Sequence, residues 1–309
     1  MSRALGGLPF MALWGIDLGG TKIEGAMIDP ARPGEALHRL RVPTESAKGY
    51  EHVVSQIELV VSELERVSGQ RRPAKIGIGT PGATEPSTGR LKNSNTTCLN
   101  GRPLAADLSA KLGVRASLAN DANCCALAEA TLGAGRGRSV VFGVIVGTGV
   151  GGGIVVNARL IDGRHGIAGE WGHNPMRGET ARCYCGRTGC VETVFSGPAL
   201  ERFYQDSGGE ALRLPEIVRR ADAGELRATA TLDRLVEKFG EAIAAVINLL
   251  DPDAVVIGGG VGNLDLLYTE RTRQAVLAHV FNPELQTEFL RPQLGDSAGV
   301  FGAAMLGAD

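Results

Sequence analysis

The sequence has little of what would point to a nucleic acid or a membrane. Aromatic residues make up only 5% of the chain, too few for a platform that stacks on bases. Neither sign of charge is in excess, since 32 Lys and Arg against 34 Asp and Glu give a net charge of −2. This balance excludes an electrostatically driven nucleic-acid binder. No apolar run approaches the ~18 residues that a membrane span needs. We therefore expect no nucleic-acid partner and no membrane association.

A secretory signal is also missing. Residues 1–11 contain one Arg and too short an apolar stretch for a leader peptide, so we expect a cytoplasmic protein. The first predicted strand begins directly after Met11, and residues 1–10 are interpreted as an extension or a misassigned start. The six cysteines favour metal binding over disulfides in a reducing compartment. The length of 309 residues suggests about two domains.

Glycine, by contrast, is abundant, with 44 residues or about twice the average share of ~7%. Three clusters follow runs of β-branched residues, at Gly15–Gly20, Gly147–Gly153 and Gly258–Gly262. A single cluster is as compatible with a tight turn as with a backbone that approaches a ligand. Three clusters in this context favour backbone N–H groups that face a phosphate.

Two of these clusters resemble known nucleotide motifs without fulfilling them. Gly15–Lys22 has the order Gly-Thr-Lys where a P-loop has Gly-Lys-Thr, and a strand follows instead of a helix. Gly147–Gly152 spells G-x-G-x-x-G, but Ile154–Asn157 again predicts a strand, which disfavours a dinucleotide fingerprint and with it a nicotinamide oxidoreductase. Both segments therefore predict glycine hairpins that hold phosphates. The predicted nucleotide residues are Gly15, Asp17, Gly19, Gly20, Thr21, Lys22, Gly147, Thr148, Gly149, Gly151 and Gly152.

Within the first hairpin, two charged residues have separate interpretations. Asp17 ends the first strand, where a carboxylate can hold Mg²⁺ directly or through water. For Lys22, a solvated lysine at the hairpin is slightly favoured over a phosphate ligand.

Hydrophobic periodicity predicts the main helices and strands. Both halves of the chain open with a strand, a Gly/Thr loop and a returning strand, which predicts two α/β domains of related design facing each other across a cleft. The predicted helices are Tyr50–Val67, Asp121–Leu132, Leu226–Leu250, Ala298–Leu306 and one from about Leu264. The predicted strands include Leu13–Asp17, Val114–Ala119, Val140–Val146 and Ala254–Ile257.

The clearest local pattern combines one histidine with three cysteines. His173, Cys183, Cys185 and Cys190 offer four soft ligands within 18 residues, as in a closed, tetrahedral, structural zinc site. Zinc at these ligands would fix Glu170 and Glu192, the acidic residues that flank the cluster in sequence. The alternative is three buried thiols with an ordinary hydrogen-bonded histidine. Cys124 and Cys125, on a predicted helix, are interpreted as core residues.

The candidate general base is Asp121, at the junction of a predicted strand and helix. Asn120 and Asp121 are ordinary N-cap residues, so a structural role is a strong alternative. However, the carboxyl end of a strand is where α/β sheets bind ligands, and phosphoryl transfer needs a carboxylate to orient the attacking hydroxyl. Glu85 and Asp162 are weaker candidates because they lie nearer to turns.

Taken together, these motifs resemble the ROK family of sugar kinases, within the actin/Hsp70/hexokinase-like ATPase superfamily. The matching segments follow the order of the family over about residues 12–306. They are Gly15–Lys22, Gly79–Gly82, Leu118–Asn123, Gly147–Gly152, Gly169–His173, Cys183–Glu192, Asp251–Asp253 and Ile257–Gly260.

The resemblance implies a fold with two α/β domains of the ribonuclease H-like type around a cleft. The smaller domain would comprise residues 12–119 and 297–309, and the larger one residues 120–296, with a zinc loop at 173–190. The family pattern further implies homodimers and the cofactors ATP, Mg²⁺ and a structural Zn²⁺.

The resemblance also implies ATP-dependent phosphorylation of a hexose hydroxyl, with Asp121 as general base. It places Gly259 and Gly260 at the adenosine. The residues that it places around the sugar are Asn120, Asp121, Glu170, His173 and Glu192.

Within the family, Lys92–Gly101 and Ala168–Pro175 look most like bacterial fructokinase, which predicts conversion of fructose to fructose 6-phosphate. N-acetylglucosamine kinase and glucokinase are the alternatives, because a few contacts decide between hexoses. A sugar-responsive ROK repressor is disfavoured. Such repressors carry a helix-turn-helix module before the first glycine loop, and only 11 residues precede Ala12 here.

Overall fold

The computed structural model describes residues 12–32 and 34–308, so the interpretation of residues 1–10 lies outside the described residues. Two compact units make up the chain. Unit 1 combines the described residues up to Ala128 with Asp162–Gly166 and the segment from Leu294 onward. Unit 2 comprises Glu129–Ile161 and Ile167–Gln293. The domain boundaries expected from the resemblance stay a prediction.

The described residues form twelve strands and ten α-helices. The strands are β1 (Leu13–Leu18), β2 (Lys22–Ile28), β3 (Ala36–Pro43), β4 (Lys75–Thr80), β5 (Ala83–Glu85), β6 (Arg90–Lys92), β7 (Arg115–Asn120), β8 (Val140–Val146), β9 (Val150–Val156), β10 (Arg159–Leu160), β11 (Ala254–Gly258) and β12 (Glu288–Leu290). The helices are α1 (Tyr50–Ser68), α2 (Leu104–Leu112), α3 (Asp121–Thr131), α4 (Val191–Phe195), α5 (Gly197–Asp206), α6 (Leu214–Asp222), α7 (Leu226–Leu250), α8 (Gly259–Gly262), α9 (Glu270–Leu277) and α10 (Ala298–Met305).

Each unit contains one five-stranded mixed sheet, and the two sheets have the same design. The order is β3-β2-β1-β4-β7 in unit 1 and β10-β9-β8-β11-β12 in unit 2. In both sheets the first three strands along the chain are antiparallel neighbours, and the last two run parallel to the first. The α/β class and the related design of the two halves are therefore confirmed.

The core of unit 1 lies between its sheet and amphipathic helices. Helix α1 presents Val53, Ile57, Val60 and Leu64 at helical spacing, and all four are fully buried. Strand β1 is almost completely buried as well. A strand covered on both faces needs a continuous apolar run, which explains its sequence Leu-Trp-Gly-Ile.

Helix α10 packs very closely on β1 and β4 of the same unit. A Cβ atom on Gly15 would lie 2.3 Å from the carbonyl oxygen of Val300, and one on Gly77 would lie 1.7 Å from that of Ala303. On the other side, a Cβ on Gly302 would lie 1.7 Å from the carbonyl oxygen of Cys124 in α3. Glycine at these positions lets the helix backbone approach the strands and α3 directly.

Unit 2 is organised around the long helix α7 and a line of aromatic side chains. Phe142, Trp171, Phe195 and Phe239 follow one another with ring centroids 5.8 to 6.0 Å apart. All four are buried. Through Trp171, this core reaches the segment that carries the predicted metal ligands.

Most predicted elements appear within one or two residues of their expected ends, and α7 has the predicted bounds. The prediction of a helix from about Leu264 is wrong in its starting point. Asp265–Tyr268 forms a 3-10 helix, and α9 begins at Glu270 because the Thr269 side chain caps it by accepting from the Thr272 N–H. No helix among the described residues is long and apolar enough to cross a membrane.

Candidate functional site

The strand–helix junction at Asn120 and Asp121 divides its roles between the two residues. Strand β7 ends at Asn120 and α3 begins at Asp121. The Asn120 side-chain oxygen accepts from the Asn123 N–H at 2.7 Å, which is the N-cap bond. Asp121 accepts from the Ala122 N–H at 2.8 Å and remains accessible to solvent. Helix capping was the alternative role for Asp121 in the sequence analysis. Asn120 takes this role instead.

Two carboxylates share this edge of the sheet in unit 1. Asp17 lies beside Gly79 on parallel β1 and β4, and β7 runs parallel on the other side of β4. Burial, with the Asp121 and Glu24 carboxylates adding to it, raises the pKa of Asp17 to about 6, while Lys22 opposes the shift. Desolvation by the surrounding protein also raises the pKa of Asp121, although solvent still reaches part of its side chain. A weakly acidic carboxyl group at the carboxyl end of a parallel sheet has the properties of a proton acceptor.

The first glycine hairpin is closed by backbone bonds. Gly19 donates its N–H to the carbonyl of Lys22 at 2.9 Å, and the buried Thr44 hydroxyl donates to the Gly19 carbonyl at 2.6 Å. Gly20 and Thr21 are exposed at the tip of the hairpin. The tip of the hairpin is therefore accessible to a ligand.

Lys22 takes part in a cluster that sequence reasoning missed. The almost fully buried Glu24 pairs with Arg39, with Arg41 at 2.6 Å and with Lys22 at 3.4 Å. Although burial opposes it, bonding to Arg39 and Arg41 lowers the pKa of Glu24. The alternation of charge along β2 and β3 was the available signal, since residues opposite each other on paired strands can form ion pairs.

In unit 2, the second glycine hairpin joins β8 to β9 at the carboxyl end of β8. Gly147 donates its N–H to the carbonyl of Gly149 at 2.9 Å, and Thr148 is exposed at the tip. The parallel neighbour β11 ends at Gly258 and is followed directly by Gly259 and Gly260. The backbone nitrogen of Gly260 lies 3.9 Å from where a Cβ on Gly147 would be. Both predicted nucleotide segments of unit 2 thus meet at one edge of its sheet.

The four predicted metal ligands converge, and their spacing fits a zinc ion. The ligand atoms of His173, Cys183, Cys185 and Cys190 all lie within 4.8 Å of one another. His173 Nδ1 is 3.6 Å from Cys183 Sγ, and Cys185 Sγ is 3.6 Å from Cys190 Sγ. Tetrahedral zinc with ordinary bond lengths requires about 3.6 Å between nitrogen and sulfur and about 3.8 Å between two sulfurs.

The loop that carries these ligands turns sharply at two glycines. Gly186 and Gly189 have φ angles of 88° and 70°, which other residues rarely adopt. Glu170 directly precedes the 3-10 helix Trp171–His173, and His173 is the last residue of that helix. Glu192 lies in the first turn of α4, two residues after Cys190. The fold therefore brings Glu170 and Glu192, which the resemblance places at the sugar, to the two ends of the metal loop.

Tyr184 is a second residue that sequence reasoning did not identify. Its hydroxyl lies 3.1 Å from His173 Nε2, and its ring meets the imidazole edge-on at 5.3 Å. The side chain is nevertheless exposed. Partial desolvation, together with the charges of Glu192, Cys183 and Glu170, raises the pKa of Tyr184 to about 12. An aromatic hydroxyl therefore lies beside His173, and no spacing rule in the sequence indicated it.

Comparison with known proteins identifies the family. The sequence profile of the ROK family matches residues 13–309, and the chain belongs to this family. The structure of a ROK hexokinase from Thermus thermophilus superimposes with a TM-score of 0.84 at 32% identity, covering 96% of this chain and 98% of that one. This superposition confirms the hexokinase-like fold expected from the resemblance.

Relatives in sequence are similar over almost their full length. The N-acetyl-D-glucosamine kinase of Pectobacterium atrosepticum is 35% identical over 306 residues, which cover 95% of this chain and 98% of that protein. The N-acetylgalactosamine kinase AgaK of a Shewanella species is 34% identical over 302 residues, covering 95% and 96%. These relatives support the N-acetylglucosamine kinase alternative better than the fructokinase ranking.

Proposed function

We propose that this ROK protein is an ATP-dependent sugar kinase in which Asp121 is the general base. The observation that carries the proposal is the carboxylate of Asp121, which lies at the carboxyl edge of a parallel sheet and leaves helix capping to Asn120. Its raised pKa makes it a better proton acceptor than an ordinary aspartate. Relatives named as sugar kinases support the same reaction class.

The proposed reaction is a single phosphoryl transfer. Asp121 orients a sugar hydroxyl, whose oxygen forms a bond to the γ-phosphorus of ATP while the bond from that phosphorus to the bridging oxygen of ADP breaks. The proton of the hydroxyl passes to Asp121. General bases of this kind contribute about 10²–10⁴-fold to rate.

The phosphates would be held by the backbone N–H groups of the two glycine hairpins, with Gly258–Gly260 beside the adenosine. Donors fixed in a hairpin need no reorganisation as charge moves onto the leaving phosphate. Asp17 would hold Mg²⁺, which neutralises charge on the transferring phosphoryl group when bound. Its pKa of about 6 leaves it mostly ionised at neutral pH, as a magnesium ligand must be.

For the substrate, we propose N-acetylglucosamine, with Glu170, His173 and Glu192 accepting or donating hydrogen bonds at its hydroxyls. The fructokinase ranking depended on two short segments. The similarity to N-acetylhexosamine kinases extends over 95% of the chain and outweighs it. N-acetylgalactosamine is the substrate named for one of these relatives and belongs in the test.

A coupled assay of ADP release tests both the activity and the substrate. The panel comprises N-acetylglucosamine, N-acetylgalactosamine, N-acetylmannosamine, glucose, mannose and fructose. We expect the highest kcat/KM with N-acetylglucosamine. A clear preference for fructose would overturn the substrate assignment, and no sugar-dependent ADP release from any of the six would overturn the kinase assignment.

Replacing Asp121 tests the base. In D121N, kcat should fall about 10²–10⁴-fold while sugar binding measured by calorimetry is retained, because the amide keeps the shape and loses the basicity. The matched control is D162N in the same unit, whose carboxyl group also has a pKa raised by burial. We expect D162N to keep near-normal turnover, and near-normal turnover in D121N would reject Asp121.

The resemblance also leads us to propose a homodimer. The chain mass is 32.3 kDa, so sedimentation velocity should give about twice this value. A sedimenting species of one chain mass at micromolar concentration would reject the dimer without affecting the kinase proposal.

A further inference from the structure

The carboxylate of Glu192 touches the second glycine hairpin directly. Glu192 Oε2 accepts from the Val150 N–H at 3.0 Å. A Cβ atom on Gly149 would lie only 2.5 Å from the same oxygen, so the glycine leaves room for the carboxylate. A negative charge therefore lies against the turn that is proposed to hold the phosphates of ATP.

The rest of the turn is supported by the same stretch of chain. A Cβ on Gly172 would lie 2.0 Å from the carbonyl oxygen of Val150, and Trp171 Nε1 donates to the Gly151 carbonyl at 3.1 Å. These contacts hold Val150 and Gly151 of the hairpin against Trp171 and Gly172. The charge of the Glu192 carboxylate therefore acts on any ligand that the hairpin binds.

A carboxylate beside bound phosphates opposes their binding, because like charges repel more strongly in partly buried surroundings than in water. A sugar hydroxyl that donates to Glu192 would place the positive end of its O–H dipole against the carboxylate and so weaken the repulsion that this carboxylate exerts on the phosphates. Sugar binding and nucleotide binding would then favour each other, and the thermodynamic coupling must be equal in both directions.

We propose that Glu192 is a positioning residue that makes nucleotide binding depend on sugar. In the sugar-free protein its carboxylate holds the hairpin through Val150 and weakens binding of the ATP phosphates. The bound sugar relieves this repulsion, so ATP binds tightly once an acceptor other than water is present. This inference rests on the proposed function, because it requires both a sugar at Glu192 and phosphates at the hairpin.

Calorimetric titration with AMPPNP, an ATP analogue that cannot transfer its phosphate, tests the coupling. In the native protein, saturating N-acetylglucosamine should lower the Kd of AMPPNP about tenfold, within the usual range of coupling between two sites. In E192Q, the neutral amide oxygen can still accept from the Val150 N–H. The sugar-free Kd should fall toward the sugar-bound value of the native protein, a gain that the loss of a merely structural contact would not produce.

The matched control is T193A in the same turn of α4, where the Thr193 hydroxyl donates to the Cys190 carbonyl at 2.7 Å. We expect its coupling to stay within about twofold of the native value. Metal content and Tm of both variants check that the loop has folded. The native protein should also show sugar-dependent ADP release with ATP.

If the native protein shows sugar-dependent ADP release, three outcomes overturn the role of Glu192 and leave the proposed kinase function intact. They are an absence of coupling in the native protein, unchanged or weaker sugar-free binding of AMPPNP by E192Q, and undiminished coupling in E192Q. Absence of AMPPNP binding and of sugar-dependent ADP release from the native protein would instead overturn the proposed function.

Discussion

Burial and neighbouring charges together set the pKa of the Glu24 and Asp17 carboxyl groups in unit 1. Glu24 is almost fully buried, yet Arg39 and Arg41 bond to it and lower its pKa. Asp17 has no hydrogen-bonded cation among the described contacts and lies near Asp121, and burial raises its pKa to about 6. The same sheet therefore carries one glutamate whose pKa is lowered by bonded cations and two aspartates whose pKa is raised.

The raised pKa of Asp17 predicts a pH-dependent stability difference. Unfolding returns the pKa to about 3.9, so the folded protein binds more protons between about pH 4 and 6 and loses stability as pH rises through this window. D17N removes this cost, and it should stabilise the protein by about 2–3 kcal/mol at pH 7.5, because each pKa unit corresponds to about 1.4 kcal/mol.

Differential scanning calorimetry of D17N and the native protein between pH 4 and 8 measures this effect. The Tm advantage of D17N should grow through the window of about pH 4 to 6 and shrink toward zero below it. A difference that stays constant over the whole range would contradict the raised pKa.

At the scale of elements, close packing by glycine determines how α10 joins unit 1. A methyl group at position 77 would overlap the Ala303 carbonyl at 1.7 Å. G77A should therefore destabilise the protein by about 3 kcal/mol, at the upper end of the usual cost of overpacking. Urea unfolding of the variant measures this change.

The control for G77A is G113A at the end of α2. Gly113 has a φ of 68° and no other atom within 4 Å of its would-be Cβ, so the substitution tests backbone strain without a clash. We expect a loss of about 1 kcal/mol. Equal losses in the two variants would contradict the close approach of α10.

The two units show how much architecture can recur without a recognisable sequence repeat. Their sheets share one strand order, and in both an antiparallel hairpin carries the glycine cluster at its tip. Parallel strands next to each hairpin bring further loops to the same edge. This shared design explains why nucleotide candidates occur in both halves of the chain.

Stability of the whole molecule should depend on the metal, since binding free energy adds to folding free energy when only the folded protein presents four converging ligands. Native protein should contain about one zinc per chain by elemental analysis. Removal with a strong chelator should lower Tm, and added zinc should restore it.

Substitutions of cysteine separate the cluster from the other thiols. C185S changes an exposed ligand and should lose the bound zinc, whereas C98S, outside the cluster, should keep it. A full equivalent of zinc in C185S, or none in native protein purified without chelators, would contradict the site.

The sequence by itself determined the features that depend on neighbours along the chain. The period of apolar residues predicted α1 and α7, and the residues after the glycine clusters indicated hairpins instead of P-loop or dinucleotide folds. The spacing of His173, Cys183, Cys185 and Cys190 was sufficient to predict that they converge. Such signals are local because backbone geometry repeats over a few residues.

Only the tertiary structure decided which of two neighbouring side chains caps α3, and which distant groups meet. Asn120 takes the cap and leaves Asp121 at the sheet edge. Tyr184 reaches His173, and Glu192 reaches Val150 across 42 positions of the chain. Contacts of this kind follow from how helices and loops pack on the sheet, and no periodicity in the sequence encodes them.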